Sequence, residues 1–434
     1  MNSQRHEVEV LVVGAGPAGI AAACVAAEAG KRVAVLDNSP WLGGQIWRGE
    51  QSHPAQAAAQ RWIRRFKGSG AQLFSSATAF SAPAPGMLMA DTPAGVLQFS
   101  WQKLVIATGA RELFLPFPGW TLPGVLGPGG LHAMSKAGWP VAGKRVVVAG
   151  TGPLLLAVAD GLKQHGMEVR LVAEQTPLAK VARFGLGLWR HPGKLIQGLG
   201  VKARLFGVPY RCGCWPVKAE GTDRVERVTL TDGLRTWTES CDYLACGFHL
   251  VPNNELALLL GCELSGGAIR VNELQETSVT GVLCAGEPTG TGGADCALVE
   301  GQVAGLAAAG LASQARPFFA ARAAWHRFRD ALNEAFSLRP ELRRLAASDT
   351  LVCRCEDVPL ATLDAFADWR SAKLHTRCGM GACQGRTCGA AAKVLFGWDN
   401  DSVRPPLFPV NVGALVSTDF TEDKRTSTTT KPGV

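Results

Sequence analysis

No stretch of this chain reaches the roughly 18 uninterrupted apolar residues that a membrane-spanning helix needs, so a transmembrane segment is excluded. No Lys/Arg cluster recurs at helical spacing despite a net charge of +8, so the patch that nucleic acid requires is missing. The scattered charge better suits phosphate groups or an acidic protein partner. An export signal is also absent: residues 1–7 are polar and the first apolar run is only strand-length. The expectation is a cytoplasmic chain, or one held at the periphery of the inner membrane. Finally, no Cys-x-x-Cys occurs, since Cys212-Gly213-Cys214 and Cys353-Arg354-Cys355 have the wrong spacing. That argues against dithiol–disulfide chemistry.

What is present is a globular composition. Of 434 residues 47% are hydrophobic and 51 are glycine, enough for two or three cores rich in tight turns. The apolar run from Val8 to Val13 feeds into Gly14-Ala15-Gly16-Pro17-Ala18-Gly19, and an Ala-rich helical stretch follows. A second strand over residues 32–36 ends at Asp37, 21 residues beyond Gly16. Strand, glycines, helix, strand and acid together make the dinucleotide fingerprint. The glycines allow a tight turn and close pyrophosphate approach, the helix N-terminus faces the phosphates, and the acid takes the ribose hydroxyls. Just beyond, Gly43-Gly44-Gln45 lets the backbone pass close to a flat group and offers a polar handle.

The pattern repeats 136 residues later: a strand over 144–149, then Gly150-Thr151-Gly152-Pro153-Leu154-Leu155, a helix, a strand over 168–172, and Glu174. Leu155 stands where the third glycine belongs. Residues 150–155 therefore read either as an NAD site, with Glu174 repelling a 2′-phosphate, or as a vestigial or differently occupied one. Three further stretches resemble motifs of flavoproteins with two dinucleotide folds. Ala107-Thr108-Gly109 closes the first flavin segment near the cofactor. Gly286-Glu287 lies by the ribityl chain, with Glu where Asp is more usual. The helix expected over 295–311 then sends N–H groups toward the isoalloxazine.

The fold class expected is α/β, a glutathione-reductase-like two-dinucleotide flavoprotein with a small α-rich C-terminal domain. Its parts would be an FAD-binding segment over 1–115, an inserted NAD(P)-binding-like domain over 116–248, and a second FAD segment over 249–313. A helical linker over 314–349, the small cysteine-bearing domain over 350–400 and a tail over 401–434 would complete it, the tail's last part disordered. Within the tail, residues 403–416 are apolar and Pro-rich, suited equally to docking on a partner and to packing on their own domain.

Five of the 13 cysteines crowd between Cys353 and Cys388. Cys353 and Cys355, then 27 residues, then Cys383 and Cys388, can bring four thiolates onto one centre, which suits zinc or an iron–sulfur cluster. Attachment to a flavin domain favours the cluster, because zinc cannot relay electrons. Cys378 reads as a neighbour of this set, with exchange against Cys383 as the alternative. Arg354, Arg377 and Arg386 would offset the cluster's negative charge.

Cys353-Arg354-Cys355-Glu356-Asp357-Val358, with Thr376-Arg377-Cys378-Gly379-Met380-Gly381-Ala382-Cys383-Gln384-Gly385-Arg386, resembles the bacterioferritin-associated-ferredoxin-like [2Fe-2S] domain. Together with Leu115-Pro116-Phe117-Pro118-Gly119-Trp120 and Gly152-Pro153-Leu154-Leu155-Leu156, it resembles one family over residues 7 to about 415. That family comprises the flavoprotein α subunits of hydrogen cyanide synthase, octopine and nopaline oxidases, and hydroxyproline or proline dehydrogenases; the sarcosine oxidase α chain is more distant. The resemblance implies a catalytic β subunit with a D-amino-acid-oxidase-like fold and its own flavin, and a small ferredoxin-like γ subunit. It further implies FAD and a [2Fe-2S] cluster here, ATP or nothing in place of NAD at the second nucleotide site, and an FMN at a subunit boundary as in sarcosine oxidase. This chain would then transfer electrons for an amino- or imino-acid dehydrogenase. A self-contained NAD(P)H-dependent reductase and a non-catalytic nucleotide and zinc scaffold are the competing readings. No catalytic base stands out: His132, His249 and His326 are isolated in sequence, and Gln45 and Glu287 suit cofactor holding.

Overall fold

The computed structural model describes residues 4–49, 56–399 and 403–416. The first strand, Gln4–Val13, is paired on both sides by parallel neighbours, Val33–Leu36 and Gly95–Ile106. Its buried end (Val10, Leu11, Val12) is a continuous apolar run, as a strand covered on both faces requires. Gln72–Phe74 extends the sheet beyond Val33–Leu36. At the other edge, Gly95–Ile106 pairs antiparallel with Met87–Thr92 over its first half and parallel with Val282–Cys284 over Leu104 to Ile106. The chain therefore returns to its first sheet after an excursion of about 170 residues.

Helices Pro17–Glu28 and Ala294–Ala308 lie together against that sheet. Both are mostly small and apolar, as a helix buried between layers requires. Small residues bring their backbones into contact: a Cβ on Gly301 would sit 2.3 Å from Ala18 O, and one on Gly305 2.5 Å from Ala22 O.

The excursion builds a second parallel sheet in the order Tyr210–Cys212, Glu168–Glu174, Arg145–Gly150, Tyr243–Gly247, Val125–Leu126. Helix Leu154–Gln164 covers one face through Leu155, Val158 and Leu162. An antiparallel meander, Trp215–Glu220, Arg227–Thr231 and Thr236–Ser240, covers the other. The turn between its last two strands falls at Asp232-Gly233.

Residues 314–349, expected to be a helical linker, include helix Arg316–Ala335 and a 3-10 turn at Pro340–Arg344. The final module packs Val352, Leu363, Trp369 and Ala372 into its own small core. Its helix Trp369–Thr376 is capped by Asp368, whose Oδ1 accepts from Ser371 N at 2.9 Å. Leu407 is buried against the antiparallel strands, its N–H donating to Phe80 O at 2.8 Å, so this part of the tail packs on its own chain. Val412 and Val416 remain exposed. The disorder expected at the chain end falls on residues 417–434, outside the described residues. Among the described residues no helix is long and apolar enough to cross a membrane.

Candidate functional site

Close backbone approach assembles the first nucleotide cradle from four separate stretches. Gly14 has φ +109°, and a Cβ there would lie 2.2 Å from Ala107 O. A Cβ on Gly19 would meet Gly14 O at 1.7 Å, which is the tight helix–strand packing the third glycine permits. Gly44 approaches Gly16, a Cβ on it falling 3.0 Å from Gly16 Cα, and Gly43 N donates to Ala15 O at 2.8 Å. Gly286 lies against Ala18, 2.8 Å from a Cβ built on the glycine to that of the alanine. Helix Pro17–Glu28 starts at Pro17, so the free N–H groups of its first turn face the loop. Asp37 is half-buried at the strand end, accepting from Ala15 N at 2.6 Å and Ser39 N at 2.7 Å. Gln45 is exposed, and its Oε1 accepts from Arg48 at 3.0 Å.

The Gly286-Glu287 stretch carries the most telling atom. Glu287 Oε1 accepts from Gly293 N at 2.8 Å, whereas its buried Oε2 has no partner. An orphaned acceptor beside the helix Ala294–Ala308 is what a ligand hydroxyl such as that of a ribityl chain would satisfy, so the residues fit FAD. Burial pushes this carboxyl up from 4.5 to about 7, with the Gly293 N–H opposing. A folded-state pKa above the unfolded one gives stability that is complete below about pH 4.5 and lost as pH rises through about 7. The loss amounts to about 3 kcal/mol. Urea unfolding of the flavin-free chain is therefore expected to shift to lower midpoints across that pH window, and Glu287→Gln to flatten the shift.

One residue that sequence reading passed over holds this turn in place. Glu300, 1% exposed, accepts from Gly286 N at 2.7 Å and Thr289 Oγ1 at 2.9 Å, and pairs with His326 Nε2 at 2.7 Å. The available signal was an acid amid an otherwise apolar helical run. His326, isolated in sequence, is thus partnered; His249 bonds Phe336 O at 2.9 Å, and burial pushes His132 down to about 4.

The second nucleotide motif is closed where the first is open. Gly150 keeps its role, a Cβ there falling 1.7 Å from Gly247 O. Glu174, however, is fully buried and engaged within the chain: it accepts from Gly152 N (2.7 Å), Thr176 N (2.9 Å) and Thr151 Oγ1 (3.2 Å). The segment after helix Arg316–Ala335 crosses this end of the sheet. Thr151 Oγ1 lies 3.2 Å from Phe336 O, Gln175 Nε2 donates to Ser337 O at 3.1 Å, and Arg339 N donates to Gln175 Oε1 at 3.1 Å. Leu155 points into the core at 1% exposure, and its helix starts one residue later in the motif than the first helix does.

In the last module Cys353, Cys378 and Cys388 are buried, with sulfurs mutually within 4.8 Å. Cys383 neighbours both Cys388 and the exposed Cys355, and the Cys388 thiol holds the Cys383 thiol down to about 4. All five cysteines therefore form one continuous group, with Cys378 inside it, a donor set that fits a thiolate-bound metal centre. Glycines draw the loops together: at Gly381 a Cβ would lie 2.3 Å from that of Cys355, and Gly379, φ +82°, abuts the Trp369 ring. The three arginines each have a partner within the chain. Arg377 pairs with Glu356 at 2.7 Å, Arg354 lies over Trp120, and Arg386 sits between Glu255 and the Phe408 ring.

Module and cradle touch through one unforeseen residue. Arg111 Nε donates to Arg386 O at 3.1 Å, and its Nη1 reaches both Asn253 Oδ1 and Glu255 Oε1 at 2.8 Å. Asn253 in turn donates to Thr108 O at 2.9 Å, and Thr108 Oγ1 donates back to Asn253 O at 2.7 Å. The loop between Cys383 and Cys388 is thus tied to the Ala107-Thr108-Gly109 turn.

The family described as pyridine nucleotide-disulphide oxidoreductase matches residues 8–305. Hydrogen cyanide synthase subunit HcnB of Pseudomonas protegens is 31% identical, covering 94% of this chain and 97% of its own. An opine oxidase subunit of Rhizobium meliloti is 31% identical over 94% of this chain and 98% of its own. The solved L-proline dehydrogenase from P. horikoshii shares the fold, with a TM-score of 0.66, 21% identity, and coverage of 96% of this chain and 80% of that one. The two-dinucleotide architecture and the four converging glycine motifs agree with these matches. The chain is an FAD-dependent oxidoreductase of the pyridine nucleotide-disulphide family, and belongs with the subunits typified by HcnB and its opine oxidase counterpart.

Proposed function

We propose that this chain is the electron-transferring subunit of a hetero-oligomeric dehydrogenase for an amino or imino acid of opine, proline, hydroxyproline or glycine type. It would hold FAD and a [2Fe-2S] cluster and pass electrons between a catalytic β-subunit flavin and an acceptor. The observation that carries this reading is the Arg111–Asn253 bridge, which ties the Cys383–Cys388 loop to the turn beside the flavin cradle. FAD exchanges electrons singly or in pairs and a [2Fe-2S] cluster singly, so the two together convert between hydride-type and one-electron chemistry.

The chain's own residues hold and orient. In this reading Gly14, Gly16, Pro17, Ala18 and Gly19 cradle the pyrophosphate, and Asp37 takes the ribose. Gly44, Gln45, Ala107, Thr108 and Gly109 line the flavin, and Gly286 with Glu287 binds the ribityl chain. Cys353, Cys355, Cys383 and Cys388 are the metal ligands, with Cys378 the alternative, and the domain boundaries are those given for the sequence. Substrate oxidation belongs to the β subunit, with a ferredoxin-like γ subunit completing the complex.

The competing NAD(P)H reductase needs an accessible ribose acceptor. Gly150 and Gly152 are in place, but Glu174 has no exposed surface and the 336–339 segment lies across the motif. NADH added to the purified chain without partners is expected to leave the flavin oxidised. Co-purification with the catalytic partner chain, followed by a screen of glycine, proline, hydroxyproline and opines, should find a substrate that bleaches it. Rapid bleaching by NADH alone would favour the reductase. A colourless preparation with zinc in place of iron would favour the scaffold.

A further inference from the structure

Helix Ala294–Ala308 packs against helix Arg316–Ala335, and the contact brings three different donor groups together. Cys296 and Glu300 are four residues apart and share one face of the first helix, and His326 reaches them from the second. The Cys296 sulfur, a Glu300 oxygen and a His326 ring nitrogen all lie within 4.8 Å of one another. Facing helices that offer such side chains across their contact are a common way to build a metal site. Cys296 and Glu300 are 2% and 1% exposed. The His326 side chain keeps 30% of its surface, which leaves a way in from solvent.

Both contacts of the group end on one atom. Glu300 Oε1 lies 3.6 Å from Cys296 Sγ and 2.7 Å from His326 Nε2. Its other oxygen, Oε2, accepts from Gly286 N at 2.7 Å and Thr289 Oγ1 at 2.9 Å. Hydrogen bonds to one oxygen thus aim the other at a thiol and an imidazole, as the outer shell of a metal site orients its carboxylate. Thiolate, imidazole and carboxylate together make the donor set that zinc takes, whereas magnesium and calcium take oxygen alone. Zinc bonds of about 2.0 Å to nitrogen and oxygen and about 2.3 Å to sulfur set tetrahedral donors roughly 3.3–3.5 Å apart. The sulfur–oxygen pair already has that spacing. The imidazole–carboxylate pair must open by roughly 0.6 Å, a small shift for a partly exposed ring. With Cys296 and Glu300 ionised, a divalent ion makes the group neutral. The Arg329 charge, which acts on both Cys296 and Glu287, is then left to offset Glu287.

We propose that Cys296, Glu300 and His326 bind a zinc ion, with water in the fourth position, and that the ion pins helix Arg316–Ala335 to the Gly286–Thr289 turn. None of its donors belongs to the cysteine module, so the site stands whatever metal that module holds. The test is metal analysis of the purified full chain, dialysed against zinc and then against metal-free buffer, with iron measured alongside as a separate report on the module. His326→Gln and Cys296→Ser should each lose one zinc per chain and leave iron unchanged. Competition with a chromophoric chelator should show the affinity of that zinc falling by more than about 100-fold, beyond what loss of an outer-shell partner causes. Zinc-edge X-ray absorption needs no variant: the unsubstituted chain should show nitrogen and oxygen neighbours at about 2.0 Å beside sulfur at about 2.3 Å. A shell of sulfur alone assigns all the zinc to the cysteine module and overturns the proposal. So do the absence of retained zinc and equal zinc contents in the unsubstituted chain and both variants.

Discussion

Cys388→Ser is expected to bring the iron content of the chain to background while the flavin stays bound. Cys388 neighbours Cys353, Cys378 and Cys383 and is the first residue of helix Cys388–Phe396. No other residue of the group touches as many sulfurs, so its loss leaves the remaining thiols without a common centre. Cys353→Ser, Cys355→Ser and Cys383→Ser should do the same, and Cys378→Ser should keep its iron. Metal analysis with electron paramagnetic resonance of the reduced protein reads all five. Retention in Cys355→Ser with loss in Cys378→Ser would make the ligand set the four more buried cysteines.

Gly14→Ala should abolish flavin retention and lower stability by at least about 3 kcal/mol. The added Cβ would sit 2.2 Å from Ala107 O, and that carbonyl's own residue is fixed by Ala107 N donating to Val13 O at 2.8 Å. Neither backbone can yield without breaking the central pair of strands. The positive φ of +109° adds strain for any side chain. Gly152→Ala is the matched control in the second motif. It also has positive φ, +90°, but a Cβ there meets nothing within 4 Å. Its cost should be about 1 kcal/mol, with flavin retained. Flavin absorbance after gel filtration and a denaturant melt of each variant give both numbers.

The fold was legible because its defining signals are local. Gly14 to Gly19 and Asp37 sit within one strand–helix–strand unit, as do Gly150, Gly152 and Glu174, and local spacing carries the physics of both. What differs between the two copies is not local. Asp37 stays half-open while Glu174 is sealed, and the difference comes from Phe336, Ser337 and Arg339, more than 160 residues downstream of Glu174. Arg111, Asn253 and Glu300 escaped notice for the same reason. Each is an ordinary polar residue in sequence, and its role exists only after distant backbone groups are brought to it. The arginines of the cysteine module likewise have partners that spacing could not show: Glu356 for Arg377, the Trp120 ring for Arg354, and Glu255 and the Phe408 ring for Arg386.

The stretch that seals the second nucleotide motif is also the tether on which the cysteine module hangs. A chain cut after Ala335 would therefore lose the cysteine module and uncover the Glu174 end of the second motif in one stroke.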